Sequence, residues 1–180
     1  MPVKPPFDLA KLQFELQNLA FIALGSNLGD PKQNVVQAMD RLQELSDFPL
    51  LRSSLWQSTP LDCPPGSPLF INAVVGLLPR ASATPEGLLD QLQALELEFG
   101  RRPKTVRNEP RSLDLDLIAY RQEMRASGRL TLPHPRARQR RFVLQPLSEI
   151  AADLVLPGQV LSVGQLLETL DSSERVLRLS

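Results

Sequence analysis

The residues RNEPRSLDLDLIAY, at positions 107–120, decide how this chain is expected to fold. From Leu113 to Leu117, apolar and acidic residues alternate strictly, which is typical of a strand with one buried face. The leucines would share that face, and Asp114 and Asp116 would share the other, roughly 7 Å apart by the rise of a strand. Two carboxylates at this spacing cannot share a proton, but they can hold hard cations such as Mg²⁺ between them.

Two arginines precede this strand. Arg107 and Arg111 stand on either side of Pro110, and the guanidinium fork matches the geometry of phosphate oxygens. Because Mg²⁺ is often held by one or two carboxylates together with substrate phosphates, the stretch predicts a magnesium–nucleotide site. The alternative is an amphipathic edge strand whose acidic face is only solvated, since the alternation by itself fits both interpretations.

Periodicity and cap signals predict the elements around this stretch. An apolar run at residues 19–24 ends in Gly-Ser-Asn and predicts a buried strand; that turn could bind an anion or be only a tight turn. Asp30-Pro31 and Thr84-Pro85 each place proline after an N-cap residue, which predicts helices reaching about residues 46 and 100. We expect further strands at 50–58, 70–78 and 176–179, an apolar segment at 142–147, a short helix after residue 149, a helix at 163–170, and long loops at 59–69 and 101–112.

Two isolated polar residues interrupt apolar or basic surroundings. Asn72 breaks the apolar pattern of the strand at 70–78, so it must be hydrogen-bonded, either within the fold or to a ligand. His134, the only histidine, stands among Arg136, Arg138 and Arg140. Positive neighbours lower the pKa of an imidazole, so we expect a neutral hydrogen-bonding side chain here.

The composition excludes several classes of protein. Lysine plus arginine number 20, as do aspartate plus glutamate, so the net charge is zero and general nucleic-acid binding is not expected. The single cysteine, Cys63, has no partner for an intrachain disulfide. No apolar run approaches the roughly 20 residues of a membrane span, and no leader core follows Met1, so we expect a soluble cytoplasmic protein with no membrane partner. Residues 1–17 resemble an appendage with a short helix, and residues 18–180 form one expected domain.

The predicted order of strand, helix, strand, strand, helix and strand is that of a ferredoxin-like α+β sandwich, an antiparallel sheet with helices packed on it. Four stretches then resemble one family in sequence and order: FIALGSNLG at 21–29, FINAV at 70–74, PRSLDLDL at 110–117, and LTLPHP at 130–135 followed by RFVLQPL at 141–147. Over about residues 18–160 the chain is similar to the 6-hydroxymethyl-7,8-dihydropterin pyrophosphokinases of folate biosynthesis.

The resemblance implies a reaction and a set of site residues. It implies transfer of the pyrophosphoryl group of ATP to the hydroxymethyl oxygen of the pterin, with release of AMP, by a monomer that binds two Mg²⁺ ions. Phe70 and Phe142 would stack on the pterin and Asn72 would bind its polar edge. The implied residues are Arg101 and Arg111 as catalytic phosphate contacts; Asp114 and Asp116 as metal ligands; Gln93, Glu96, Arg107, Leu117, Arg129, Thr131, His134 and Arg140 as nucleotide contacts; and Ser58, Leu61, Phe70, Asn72 and Phe142 as pterin contacts.

The chain departs from the family pattern beside the acidic motif. Glu109 stands where the family usually has glycine, and Asn108 where some members have an aromatic residue. Pro103 and Pro135 also replace the usual basic and aromatic residues. A carboxylate near a triphosphate is unfavourable unless it points away, so we expect activity with an altered loop and a weaker affinity for the nucleotide.

Three other interpretations stay open from the sequence. A nucleotidyltransferase also joins a Gly-Ser turn to an acidic strand, but two strands and two helices are expected between Ser26 and Asp114. A non-catalytic RNA-binding module of the same fold would stack bases on strand aromatics, whereas this strand carries acids that repel phosphates. A catalytically degenerate family member would keep the fold but form no AMP.

Overall fold

The computed structural model describes residues 16–103 and 105–180. The appendage expected at residues 1–17 lies almost entirely outside the described residues. The helices are α1 (Pro31–Gln43), α2 (Pro85–Glu98), α3 (Arg141–Ala151) and α4 (Val163–Thr169), with a 3-10 turn at Ala137–Gln139. The strands are β1 (Ala20–Ser26), β2 (Leu51–Arg52), β3 (Trp56–Ser58), β4 (Phe70–Leu77), β5 (Asp114–Tyr120), β6 (Arg125–Ala126), β7 (Thr131–Leu132) and β8 (Val176–Arg178).

The main sheet is antiparallel and runs in the order β5-β1-β4-β3-β8, with β2 also paired to β4. β2 and β3 are the two halves of one interrupted strand. When β2 and β3 are counted as one strand, the four strands of the strand-helix-strand-strand-helix-strand motif lie in the order fourth, first, third, second. This order confirms the ferredoxin-like α+β sandwich predicted from the sequence. β6 and β7 form a separate hairpin.

Helices cover both faces of the sheet because its strands are apolar on both sides. One core joins the sheet to α1 and α2, and the other joins it to α3 and α4. Both long helices begin as predicted: Asp30 accepts a hydrogen bond from the Gln33 amide, and Thr84 accepts one from the Gly87 amide. None of the helices within the described residues is long and apolar enough to cross a bilayer.

The strand predicted at residues 50–58 is wrong as a continuous element. It is broken at Ser53, whose amide donates to the Val74 carbonyl while its hydroxyl accepts from the Val74 amide. A side-chain oxygen thus replaces a main-chain carbonyl in the ladder. The regular pairing therefore ends at Arg52 and resumes at Trp56.

The helix expected after residue 149 starts earlier. It is α3, which begins at Arg141, includes the apolar segment at 142–147, and ends at Ala151. Its N-terminal amides are capped by Glu174, which lies 33 residues away from Arg141 in the sequence. No local cap signal marks this start, because the residue at the N-cap position, Arg140, makes no side-chain cap hydrogen bond.

Candidate active site

Four strands end together at one end of the sheet and form a cleft of about 270 Å³. Gly25 of β1 lies opposite both Asp114 and Asn72, and Ser58 of β3 lies opposite Phe70. The loops at 59–69 and 99–113 leave the sheet at this same end. The predicted site residues that line the cleft are Ser58, Leu61, Phe70, Asn72, Gln93, Glu96, Arg101, Arg111, Asp114, Asp116, Arg140 and Phe142.

The acidic pair lies among arginines. Asp114 Oδ1 is 3.1 Å from the Arg111 guanidinium and 3.4 Å from that of Arg101, and Asp116 Oδ2 is 3.8 Å from that of Arg140. Burial and the neighbouring Asp114 raise the pKa of Asp116, against the influence of His134, Arg140 and Arg111. A cation beside the two carboxylates would therefore be favoured, because it would offset the repulsion between them and the burial of Asp116. Both side chains offer the hard oxygen ligands that Mg²⁺ takes.

Glu96 connects α2 to the acidic strand. One of its oxygens accepts from the Leu115 amide at 2.7 Å, and the other pairs with Arg101. Burial raises the pKa of Glu96 to about 7, although the Leu115 amide and Arg101 both favour the charged form. The carboxylate holds Arg101 beside Asp114, so it sets the position of a predicted catalytic arginine.

A β-bulge in β5 places His134 beside the acidic pair. Phe21 pairs with Ala119 and Ile22 with Leu117, so Ile118 is the extra residue. Its carbonyl accepts from the His134 amide at 2.8 Å. Burial lowers the pKa of His134, with Arg140 and Arg136 acting in the same direction. The predicted direction is thus confirmed, but burial is the main cause, and His134 Nδ1 accepts from the Arg136 amide as a neutral ring can.

The side of the cleft opposite the acidic pair carries two phenylalanine rings and the side-chain amide of Asn72. Asn72 is buried, and its Nδ2 donates to the Ser58 hydroxyl at 2.7 Å. Phe70 and Phe142 line the same cleft. The Arg140 guanidinium lies over the Phe142 ring, 5.4 Å from its centroid. This arrangement suits a flat ring with a polar edge, because aromatic faces stack on such a ring while the amide binds its edge.

The two long loops contact each other over the cleft. Asn108 Nδ2 donates to the Asp62 carbonyl at 2.7 Å, and both residues have left-handed backbone conformations, with φ of 55° and 52°. Glu109 turns into its own loop, where it accepts from the Thr105 hydroxyl and amide. The Thr105 hydroxyl lowers the pKa of Glu109. The carboxylate is therefore bound away from the cleft lining, which removes the reason for expecting it to repel a triphosphate.

Sequence reasoning missed the part that Asn27 plays. It is buried, its Oδ1 accepts from the Arg111 main-chain amide at 2.8 Å, and its own main-chain amide donates to the Arg111 carbonyl at 3.1 Å. The Gly-Ser-Asn turn was visible in the sequence, but its contact lies 84 residues away. The turn thus fixes the backbone of Arg111.

The remaining predicted nucleotide contacts do not line the cleft. Arg107 and Thr131 are exposed, and Arg129 is paired with Asp90 on α2. Leu117 is buried in the core between the sheet and helices α1 and α2. Cys63 was not predicted as a site residue. It belongs to the loop at 59–69 and lines the cleft, and burial raises the pKa of its thiol.

Comparison with known proteins gives a consistent result. The family model of 7,8-dihydro-6-hydroxymethylpterin-pyrophosphokinase matches residues 21–152. A 2-amino-4-hydroxy-6-hydroxymethyldihydropteridine pyrophosphokinase from Pseudomonas aeruginosa is 41% identical over 138 residues, which are 76% of this chain and 83% of that protein. The enzyme of the same name from Haemophilus influenzae is 42% identical over 140 residues, which are 77% of this chain and 85% of that protein.

Solved structures extend the likeness to the fold. A crystal structure of an HPPK-DHPS in complex with substrates superimposes with a TM-score of 0.65 at 10% sequence identity, covering 84% of this chain. This chain spans 43% of that longer protein. The family model covers more than half of the chain, and relatives above 40% identity cover most of it, so the chain belongs to the 7,8-dihydro-6-hydroxymethylpterin-pyrophosphokinase family.

Proposed function

We propose that this protein transfers pyrophosphate from ATP to the hydroxymethyl group of 6-hydroxymethyl-7,8-dihydropterin, giving AMP and the pterin diphosphate in folate biosynthesis. The proposal rests on family membership together with one observation. The cleft joins the acidic pair, Asp114 and Asp116, and its neighbouring arginines to a wall that carries two phenylalanine rings and an asparagine amide. In the reaction, the hydroxymethyl oxygen bonds to the β-phosphorus of ATP. The bond from that phosphorus to the oxygen it shares with the α-phosphorus breaks, AMP leaves with that oxygen, and the hydroxyl proton is released to water.

Asp114 and Asp116 would hold two Mg²⁺ ions together with ATP oxygens. Their support is chemical, since both are hard oxygen donors on one face of a strand. When bound, the ions would neutralise charge on the triphosphate and align it, which is the main requirement of phosphoryl-type transfer.

The arginines would change partners when ATP binds. Arg101 and Arg111 lie beside Asp114, and Arg140 lies near Asp116. Cations on the carboxylates would free these guanidinium groups to contact triphosphate oxygens, where bidentate geometry favours arginine. Arg101 and Arg111 would then stabilise the negative charge on the oxygens around the phosphorus being transferred, while Glu96 and Asn27 keep them in place.

The pterin would bind on the opposite wall. Phe70 and Phe142 would stack on its faces, Asn72 would bind its polar edge, and Ser58 and Leu61 would complete the pocket. Gln93 and His134 would contact the nucleotide. Further contacts to the nucleotide would come from Arg107, Arg129, Thr131 and Leu117. To make its contact, Arg129 would have to leave Asp90.

The test is formation of AMP from ATP and Mg²⁺, with and without the pterin. We expect AMP only when the pterin is present, and loss of that AMP in Asp116→Ala. The matched control is Asp153→Ala, which removes an exposed carboxylate outside the cleft and should leave the rate unchanged. Absence of AMP from folded protein would support the degenerate interpretation, and AMP formed equally without the pterin would indicate a different acceptor.

For its setting, we propose a cytoplasmic monomer. The single cysteine fits a compartment that keeps thiols reduced, and the family resemblance implies the monomer. Light scattering coupled to gel filtration should then give the mass of one chain, 20.0 kDa. A mass of twice that value at micromolar concentration would overturn the monomer.

A further inference from the structure

The segment at residues 170–178 carries a buried acidic residue that the proposed chemistry does not use. Glu174 is 7% exposed, although both of its sequence neighbours are exposed. Glutamate is almost never fully buried unless it is paired, so its partners indicate what the burial serves.

Those partners are main-chain amides at the start of α3. The Phe142 amide donates to Glu174 Oε2 at 3.0 Å, and the Arg141 amide donates to Oε1 at 3.3 Å. The first amides of a helix have no partner within the helix, and the helix dipole favours negative charge there. Arg140, at the N-cap position, makes no side-chain cap hydrogen bond, so a residue 32 positions from Phe142 supplies the cap.

The start of α3 also carries groups of the cleft. The Phe142 ring lines the cleft, the Arg140 guanidinium lies over that ring, and the same guanidinium is 3.8 Å from Asp116. The position of the Phe142 backbone, which Glu174 fixes, therefore determines where the ring meets a ligand.

Arg175, the residue after Glu174, fixes the other side of the aromatic pocket, where the loop at 59–69 begins. The Thr59 amide donates to the Arg175 carbonyl at 3.1 Å, and the Arg175 amide donates to the Thr59 hydroxyl at 3.3 Å. Thr59 follows Ser58 and begins the loop at 59–69. Two adjacent residues thus hold the two sides of the aromatic pocket at a set separation.

We infer that Glu174 is a positioning residue for the pterin site, acting through the amide of Phe142 to hold that ring at stacking distance from the substrate. The inference rests on the proposed function, since it assigns the pterin to this wall. A cap that served stability alone would lower the melting temperature and leave substrate affinities unchanged. A positioning residue changes the affinity for one substrate at temperatures where the protein is fully folded.

The experiment compares Glu174→Gln with Glu168→Gln, which alters an exposed carboxylate on α4. Well below the unfolding temperature, we expect Glu174→Gln to raise KM for the pterin about fivefold, a size typical of one aromatic contact. KM for ATP should change less than twofold. Glu168→Gln should change neither value. Glu174→Asp, which keeps the charge on a shorter side chain, should restore part of the pterin affinity.

A double-mutant cycle tests the route. In a Phe142→Ala background, Glu174→Gln should have no further effect on pterin affinity, because the ring it positions is gone. Calorimetric Kd values for the pterin, measured with Mg²⁺ and a non-hydrolysable ATP analogue, give the same comparison without turnover. Wild-type protein that binds the pterin but forms no AMP would refute the proposed reaction and leave this comparison intact.

Three results would overturn the inference itself. Unchanged pterin affinity in Glu174→Gln with a lower melting temperature would make Glu174 a stability cap. Full additivity with Phe142→Ala would show that it does not act through the ring. Wild-type protein that does not bind the pterin would remove the site that Glu174 is inferred to organise.

Discussion

Asp116 occupies a place where burial works against its charge. Burial and its acidic neighbour raise the pKa of Asp116, so at neutral pH the ionised side chain destabilises the folded protein. Its arginine partner is distant, at 3.8 Å. Such destabilised residues are common at functional sites, where stability is given up for chemistry.

Asp116→Asn should therefore stabilise the protein while abolishing its activity. In buffer with EDTA, we expect thermal melts followed by circular dichroism to show a midpoint a few degrees above that of the wild type. With Mg²⁺ and ATP the wild type should have the higher melting midpoint, because ligand binding stabilises only the protein that can bind the ligand. A variant that melts lower than wild type in EDTA would show that the contact with Arg140 dominates instead.

Glu96 should make stability depend on pH. Its pKa is raised to about 7 in the folded protein from an ordinary value of 4.5, so the cost of its burial is absent below pH 4.5 and complete above pH 7. Relative to Glu96→Gln, the wild type should lose stability as pH rises through this window. Urea unfolding at several pH values measures the difference.

The matched control for that experiment lies on the same helix. Glu98→Gln alters an exposed carboxylate that pairs with Arg41, and its difference from the wild type should stay nearly constant across the window. A constant difference for Glu96→Gln as well would mean that Arg101 and the Leu115 amide compensate fully for burial.

Helices and strands could be predicted from the sequence where the residues that indicate them lie close together in the chain. β1, β4, β5, α1 and α2 were predicted because alternation, apolar runs and N-cap residues are read within a few positions. The break at Ser53 and the start of α3 were missed, since each depends on a distant partner, Val74 or Glu174. The bulge at Ile118 was also missed, because an extra residue leaves the apolar pattern unchanged.

The same limit applies to the site. The acids and Arg111 were recognised because they lie within six residues of one another. The hydrogen bonds between Asn27 and Arg111 and between Asn108 and Asp62 join positions that are 84 and 46 residues apart. A local sequence pattern does not indicate such distant pairs.

The contact between the two loops can be tested by proteolysis. Asn108→Ala removes the donor to the Asp62 carbonyl, and Ala also tolerates the left-handed conformation poorly, so the loop should open more often. We expect trypsin to cleave after Arg107 roughly fivefold faster, as suits the loss of one hydrogen bond.

Asn108→Gly separates the two causes, since glycine lacks the donor but adopts the left-handed conformation freely. Cleavage as fast as in Asn108→Ala would assign the effect to the hydrogen bond. Wild-type rates in both variants would show that the loops are held by other contacts.

At the scale of the whole molecule, one sheet joins two helical layers, and β3 ties the sheet to the layer of α3 and α4. Trp56, the only tryptophan, donates its indole N–H to Glu149 on α3 at 3.0 Å, while its strand pairs with β4 and β8. The layer of α3 and α4 cannot be released from the sheet without disturbing this side chain. A chain organised in this way should unfold in one step.

We therefore expect Trp56 fluorescence and far-ultraviolet circular dichroism to give the same urea midpoint. Glu149→Gln, which keeps the shape of the side chain but removes its charge, should lower both midpoints together. Fluorescence that changes at lower urea would mean that the layer with α3 unfolds by itself, against the single domain predicted for residues 18–180.

The position of Cys63 offers a practical advantage. It is the only thiol in the chain and it lies on the cleft wall, so a fluorophore or a spin label can be attached at one place without removing other cysteines. Its raised pKa slows that attachment, which is compensated by longer incubation under mildly alkaline conditions. A probe at this point would report, in real time and without any coupled assay, how the loop at 59–69 responds as each substrate arrives.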